Sequence, residues 1–245
     1  MCTDILTVMR KEWREIFLMR GSVRSGVTNV LILVGVIGII MPWQSGPEWL
    51  TNPIGALIWA WLPIFSSTGI IADSIAGERE RHTLETLLVS RLSDRAILLG
   101  KIGATVLYAW MQSVASMLVG AVTINVLYPT GRFEFYSASF FFPVLLLTLL
   151  LGLLVAGVGV LVSLQAENAR QAYQKLSIVM IVVWVLPALA FQFIPQATLA
   201  RLTAGLGTLS LPALAAGGAA ALLIANGAVL GTALARFKRY RLVLS

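Results

Sequence analysis

The charged side chains of this sequence concentrate in one segment, residues 72–101, which lies between two long apolar stretches. Acidic and basic residues alternate along it, and it contains His82, the one histidine of the chain. Charge at this density in an apolar chain must be paired or solvated, so the segment is a candidate for ion pairs or for binding another protein. Its charged residues include Glu78, Arg79, Glu80, Arg81, Glu85, Arg91, Asp94, Arg95 and Lys101.

Residues suited to enzymatic chemistry are scarce. The one cysteine, Cys2, excludes an internal disulfide and a thiolate metal cluster, and a single histidine disfavours a haem or metal site. An intramembrane protease needs a Ser/His pair or paired aspartates at membrane depth, and no such pair is apparent. A phosphatidyltransferase needs several spaced aspartates, and only Asp73 is suitably placed. We therefore expect no enzymatic activity, catalytic residue or metal in this chain, and a membrane-embedded enzyme is the weakest alternative.

Lipid must be the solvent for most of this chain. Hydrophobic residues make up 58% of it and charged residues 12%, whereas a soluble domain carries about 25% charged residues. Six apolar segments approach or exceed the roughly 20 residues that cross a bilayer core as helix. The sequence predicts an all-α membrane protein with six transmembrane helices, near 26–41, 54–71, 96–127, 140–164, 176–194 and 209–235.

The basic residues predict the orientation. If both termini lie on the same side, all Lys and Arg residues except Arg132 and Arg201 fall on that side. Basic residues accumulate on the cytoplasmic side, so we predict cytoplasmic termini in a bacterial or archaeal inner (plasma) membrane. This asymmetry, with contact to anionic lipid, explains the net charge of +7 without nucleic acid, which we do not expect as a partner.

Residues 1–24 have the pattern of an amphipathic helix. Met9, Trp13, Ile16 and Phe17 share one face, and five basic residues are interleaved with the apolar ones along the segment. Such a helix, followed at once by an apolar segment, is typical of helices that lie at the membrane interface. The alternative is a short helix packed on protein.

We call residues 72–101 the elbow, because they join the second and third apolar segments. The sequence predicts a helix over 75–90 and a second helix after it, with Ser93 or Asp94 as its N-cap. Three charged residues are spaced for pairing within the first helix, namely Glu78, Arg81 and Glu85. Three leucines form its apolar stripe, namely Leu84, Leu87 and Leu88. An amphipathic hairpin of this kind requires a membrane surface or a protein groove.

The elbow resembles a known family at this point. The run GERERHTLETLLVSRLSDRAILLGK is similar to the segment after the second span of type-2 ATP-binding-cassette (ABC) permeases, which reads roughly E-x-E-x-G-T-L-E-x-L-L-x-S-P, a polar turn and G-K. It departs from that pattern at His82, where the family usually has glycine, and at Arg91, where it usually has proline. The matching residues are Glu78, Glu80, Thr83, Leu84, Glu85, Leu87, Leu88, Ser90, Gly100 and Lys101.

The resemblance implies one transmembrane permease domain over 1–245, the membrane subunit of an ATP-driven exporter. Two permease subunits, identical or paralogous, would sit on two ABC ATP-binding subunits. ATP and Mg would bind to those partners, because this chain has no G-x-x-x-x-G-K-[ST] motif. The residues expected to contact the ATPase are Glu78, Arg79, Glu80, Arg81, Thr83, Leu84, Glu85, Leu87 and Leu88.

The resemblance also implies that the second and fifth spans line the translocation path. The residues expected there are Trp59, Ser66, Ser67, Thr68, Trp184 and Gln192. Considered without the resemblance, polar residues in the spans indicate either interhelical hydrogen bonds or a weakly polar path. A different function is also compatible with these residues: a scaffold or mechanotransmitting subunit that moves no solute would have the same elbow.

Overall fold

The computed structural model describes residues 1–17, 23–51, 59, 62, 66–83, 89–193 and 211–237. Regular secondary structure in these residues is entirely helical, as the sequence predicts. The α-helices are α1 (Cys2–Phe17), α2 (Val23–Gly35), α3 (Met41–Ser45), α4 (66–72), α5 (Glu78–Glu80), α6 (Asp94–Leu127), α7 (Ala138–Ser163), α8 (Ala169–Phe193) and α9 (Leu211–Arg236). Two π-helical segments, Val36–Ile40 and Asp73–Gly77, and one 3-10 helix, Gly46–Leu50, continue them.

Four helical stretches among the described residues are long and apolar enough to cross a membrane. They are Val27–Leu50, Asp94–Leu127, Ala138–Ser163 and Ala216–Arg236. They correspond to the first, third, fourth and sixth predicted spans. The predicted fifth span coincides with the 25-residue helix α8. Much of the predicted second span lies outside the described residues, so the number six stays a prediction.

The first stretch is longer than the sequence predicts. We expected it to end at residue 41, before Pro42, but helical structure continues to Leu50. Pro42 has no N–H to donate to the carbonyl of Gly38, four residues back. The hydroxyl of Thr123 on α6 donates to that carbonyl at 2.8 Å. A neighbouring helix thus supplies the donor that proline lacks, and helical structure continues past the expected end of this span as far as Leu50.

Helix α6 is the axis of the structure. Its 34 residues extend about 50 Å, and Ser93 caps it as predicted, the Ser93 hydroxyl accepting from Ala96 N at 3.2 Å. Helices α1 and α7 pack along it, and α9 packs on the other side of α7. We call the surroundings of its first turns the elbow end and those of its last turns the aromatic end.

Small residues allow close helix contacts at the elbow end. A Cβ atom on Gly159 of α7 would overlap Ile71 of α4, and one on Gly157 would lie 2.7 Å from Val229 of α9. Two glycines of α9 at four-residue spacing, Gly227 and Gly231, behave differently. Gly227 is exposed, and no described atom lies within 4 Å of a Cβ placed there.

Helix α1 lies on α6 through its apolar face. A Cβ atom on Gly100 would lie 2.6 Å from Val8, and the indole N–H of Trp13 donates to Ala104 O at 3.2 Å. Arg10 and Arg14 are exposed on the opposite face. The helix is therefore packed on protein, and its placement at the membrane interface stays a prediction.

At the aromatic end, rings and backbone pack closely. Trp49 and Trp59 meet edge to face with ring centroids 5.5 Å apart, and Tyr136 stacks on Phe140 at 5.9 Å. The side chain of Asn125 accepts from the Glu134 N–H and donates to the Glu134 carbonyl, each at 2.7 Å. It thereby fixes the connection between α6 and α7.

Candidate functional site

The first helix of the elbow is interrupted where the sequence predicts it to continue. The helix expected over 75–90 is broken after Glu80, because the chain turns at His82, whose φ is 55°. Residues 84–88 of that prediction lie outside the described part of the chain. Two hydrogen bonds close this end: Thr83 N donates to Glu78 O at 2.9 Å and His82 N donates to Arg79 O at 3.1 Å. This pattern favours glycine at the left-handed position. This chain makes the turn with histidine at that position.

Glu78 is buried at the junction of three elements. Its side chain is 2% exposed, and its Oε1 accepts from Lys101 of α6 at 3.0 Å and from Lys11 of α1. The predicted pairing of Glu78 with Arg81 is wrong. Arg81 instead makes two hydrogen bonds of 3.2 Å to Asp73 within the same helical run. The carboxylate of Glu78 thus joins the elbow to two other helices.

Lys101 is the centre of this cluster. The residue is 1% exposed. Its Nζ donates to Glu12 Oε1 at 2.8 Å and to Ser74 O at 2.6 Å, besides Glu78. Three acceptors match the three hydrogens of an ammonium group, so this buried charge is fully satisfied. Glu78 Oε2 has no hydrogen-bond partner among the described residues.

Lys11 closes the cluster on the side of α1. Burial by itself lowers the pKa of Lys11, but Glu12, Glu78 and Glu15 outweigh it and raise that pKa above its ordinary value. Because the pKa of Lys11 is higher in the folded state, its contacts stabilise the fold at any pH below the unfolded-state pKa of about 10.4. This stabilisation is lost only as the pH rises through the folded-state pKa. Lys11 therefore keeps its charge at neutral pH. Oxygens of the three carboxylates lie within 4.8 Å of one another, but the lysines provide their counter-charges, so we assign no metal centre.

The next two residues contact another part of the molecule. Arg79 donates to Ala166 O at 2.5 Å and to Leu164 O at 3.4 Å, and Glu80 Oε2 accepts from Ala169 N at 3.2 Å. These acceptors and this donor belong to the turn between α7 and α8. Thr83 is exposed, and its hydroxyl donates to Glu78 O at 3.2 Å. The remaining predicted contacts, Leu84, Glu85, Leu87 and Leu88, lie outside the described residues.

The described members of the predicted path are packed inside the chain. Trp59 is fully buried against Trp49, and Ser67 and Thr68 are buried. The hydroxyl of Ser66 donates to Gln112 Oε1 of α6. This contact is an interhelical hydrogen bond, one of the two alternatives. Two further members, Trp184 and Gln192, belong to α8, but their side chains lie outside the described residues.

Three residues of this site were not predicted from the sequence, namely Glu12, Lys11 and Ser163. A signal for Glu12 was present, because it stands between Val8 and Ile16 at four-residue spacing. Val8, Glu12 and Ile16 are all buried. A carboxylate on the buried face of a helix requires a cationic partner. The identity of that partner could not be inferred from spacing.

Fold and site together define a helical integral membrane protein whose charged elbow is tied to the surrounding helices. The family profile described as ABC-2 family transporter protein matches residues 39–206, more than half of the chain. The chain therefore belongs to the ABC-2 transporter family. The matched range contains the whole elbow and helices α3 to α8. A comparison with curated proteins finds no match.

Proposed function

We propose that this chain is the permease subunit of an ATP-driven exporter and that a separate ABC ATP-binding subunit hydrolyses the ATP. Family membership supports the transporter class. The observation that carries the coupling role is the buried contact of Glu78 with Lys11 and Lys101. Through it, a force applied to the elbow reaches α1 and α6 without passing through a flexible loop.

The proposed assembly has two permease subunits, identical or paralogous, on two ATP-binding subunits. Each permease has six spans, with both termini in the cytoplasm and α1 near the membrane interface. ATP and Mg are held by the partner subunits, and this chain itself performs no catalysis. The absence of a Walker A motif from the sequence supports this division of labour.

The ATP-binding subunit would dock on the outer surface of the elbow. The described part of that surface includes His82, Thr83 and Arg91, which are exposed, and Val89, whose exposed fraction is 86%. This surface would offer a partner the exposed apolar side chain of Val89 and the exposed charge of Arg91. The segment 84–88 would complete the surface with its leucine stripe.

The translocation path would form along the second and fifth spans. The hydrogen bond between Ser66 and Gln112 holds α4 and α6 together. The path would open when this bond breaks and the two helices separate. The mildly polar side chains of Ser66, Ser67 and Thr68 would then face the path, together with Trp59, Trp184 and Gln192.

Charge reversal tests this proposal. Glu78→Lys places a third ammonium group beside Lys11 and Lys101, and Glu85→Lys reverses a charge on the docking surface. In vesicles with the ATP-binding subunit, we expect each variant to lower the permease-dependent stimulation of ATP hydrolysis by roughly tenfold. Glu48→Lys is the matched control, because Glu48 is exposed at the aromatic end.

Unchanged assembly and coupling in both elbow variants would overturn the proposal. Stimulated ATP hydrolysis without movement of any tested amphiphile across the vesicle membrane would favour the scaffold or mechanotransmitting subunit instead.

A further inference from the structure

Three consecutive charged residues of the elbow contact two different parts of the structure. Glu78 contacts α1 and α6, whereas Arg79 and Glu80 contact the turn that joins α7 to α8. The elbow is therefore attached to α6, which follows it in sequence, and also to α1, α7 and α8, which do not adjoin it in the chain.

The two contacts match the electrostatics of the helix ends. The last carbonyls of a helix accept no hydrogen bond within the helix and carry partial negative charge. The first N–H groups likewise have no partner within the helix and carry partial positive charge. The guanidinium of Arg79 donates to Leu164 O, at the C-terminal end of α7. The carboxylate of Glu80 accepts from Ala169 N, at the start of α8. Each charge thus has the sign that its helix end stabilises.

A third contact joins the same two regions. The Ser163 hydroxyl accepts from Ala76 N at 2.9 Å and donates to Ala72 O at 3.1 Å. It thereby stands between an N–H and a carbonyl four residues apart, which would bond directly in a regular α-helix. The residues around it are small and buried, namely Ala72, Ala76, Ala166 and Ala172. The π-helical segment of the elbow is therefore closed by a side chain of α7.

We propose that Arg79 and Glu80 are positioning residues that make α7 and α8 move together with the elbow. A displacement of the elbow would then reach four helices, with α1 and α6 joined through Glu78 and the other pair joined through the α7–α8 turn. The source of the displacement rests on the proposed function, but the attachment of the turn to the elbow does not.

The test measures whether α1 and α8 form one rigid unit. Spin labels replace Leu6 on α1 and Tyr173 on α8, both exposed, in a Cys2→Ser background. Without a partner subunit, in lipid nanodiscs, we expect one narrow distance distribution. The variant R79Q/E80Q should broaden it roughly twofold. Glu167→Gln is the matched control and should leave it narrow, because Glu167 is an exposed carboxylate of the same turn.

The outcomes separate this inference from the proposed function. A distribution of unchanged width in R79Q/E80Q overturns the inference, and if the double variant fails to fold, the single variants R79Q and E80Q decide in the same way. The same measurement is then made on the complex with the ATP-binding subunit, before and after ATP and vanadate trap that subunit. The distance between the labels at positions 6 and 173 should stay constant on trapping in the protein without further substitutions and change in R79Q/E80Q. If trapping moves neither label relative to a third one at exposed Phe133, the proposed function fails while the result without nucleotide still stands.

Discussion

The two ends of α6 are stabilised by different physics. At the elbow end, Lys101 satisfies each of its three hydrogens with an acceptor from α1 or the elbow. At the aromatic end, Trp59 is fully buried, yet its indole N–H has no hydrogen-bond partner among the described residues. Hydrogen-bonded charges fix direction and distance, whereas the hydrophobic burial of the rings is non-directional. The elbow end is therefore suited to passing on a displacement, and the aromatic end to holding the helices together.

The largest expected effect tests the ionic side of this comparison. Lys101→Met leaves the carboxylates of Glu12 and Glu78 buried with Lys11 as their remaining cation. Removing one partner of a buried ion pair costs about 3–5 kcal/mol. We expect that loss in the free energy of unfolding in detergent, and little dependence on salt, because buried pairs are weakly screened. A loss below about 1 kcal/mol would show that the cluster is solvated like a surface pair.

The next effect tests the packing at the aromatic end. A Cβ atom on Gly120 would lie 3.0 Å from Tyr136 Oη and 3.2 Å from Trp49 Nε1. Gly120→Val should therefore overpack this contact and lower the free energy of unfolding by about 1–3 kcal/mol. Gly227→Val is the control, because its Cβ would meet no described atom within 4 Å. Equal effects of the two substitutions would contradict close packing around Gly120.

A smaller effect is expected where the aromatic end does use hydrogen bonds. Asn125→Leu removes both contacts to the Glu134 backbone, at a half-buried site. We expect a loss of about 1 kcal/mol, because water can partly replace the amide there. Thermal unfolding should show this loss. Thr130→Val is the control, because Thr130 is exposed in the connection between α6 and α7. A loss as large as that of Lys101→Met would weaken the contrast between the two ends.

The smallest effect is a gain of stability at the elbow. His82 has the left-handed conformation, which costs a non-glycine residue about 1–2 kcal/mol. Replacement by glycine removes this cost, but glycine loses more backbone entropy on folding, which offsets part of the gain. His82→Gly should therefore raise the free energy of unfolding by somewhat under about 1 kcal/mol. His82→Val should lower it, because a β-branched residue tolerates this conformation poorly. The opposite order of the two variants in thermal unfolding would argue against the turn described above.

Local signals predicted much of the fold. The apolar segments at 96–127 and 140–164 are helices within a few residues of their expected bounds, because length and hydrophobicity decide whether a chain forms a membrane-spanning helix. Of the two predicted caps of α6, Ser93 and Asp94, the first is confirmed, because capping depends on residues within one turn. The break in the elbow helix after Glu80 was not predicted, because histidine, unlike the glycine of the family pattern, does not mark a left-handed position.

The sequence by itself determined that this chain is helical, that it is apolar enough for lipid, and that its charge concentrates between the second and third apolar segments. Only the tertiary structure decided where those charges go. Glu78 pairs with Lys11, 67 positions away, and Arg79 reaches Ala166, 87 positions away. Spacing along the chain restricts partners within one helix, but contacts between helices depend on how the helices pack. That packing brings the elbow together with α1, α6 and the α7–α8 turn.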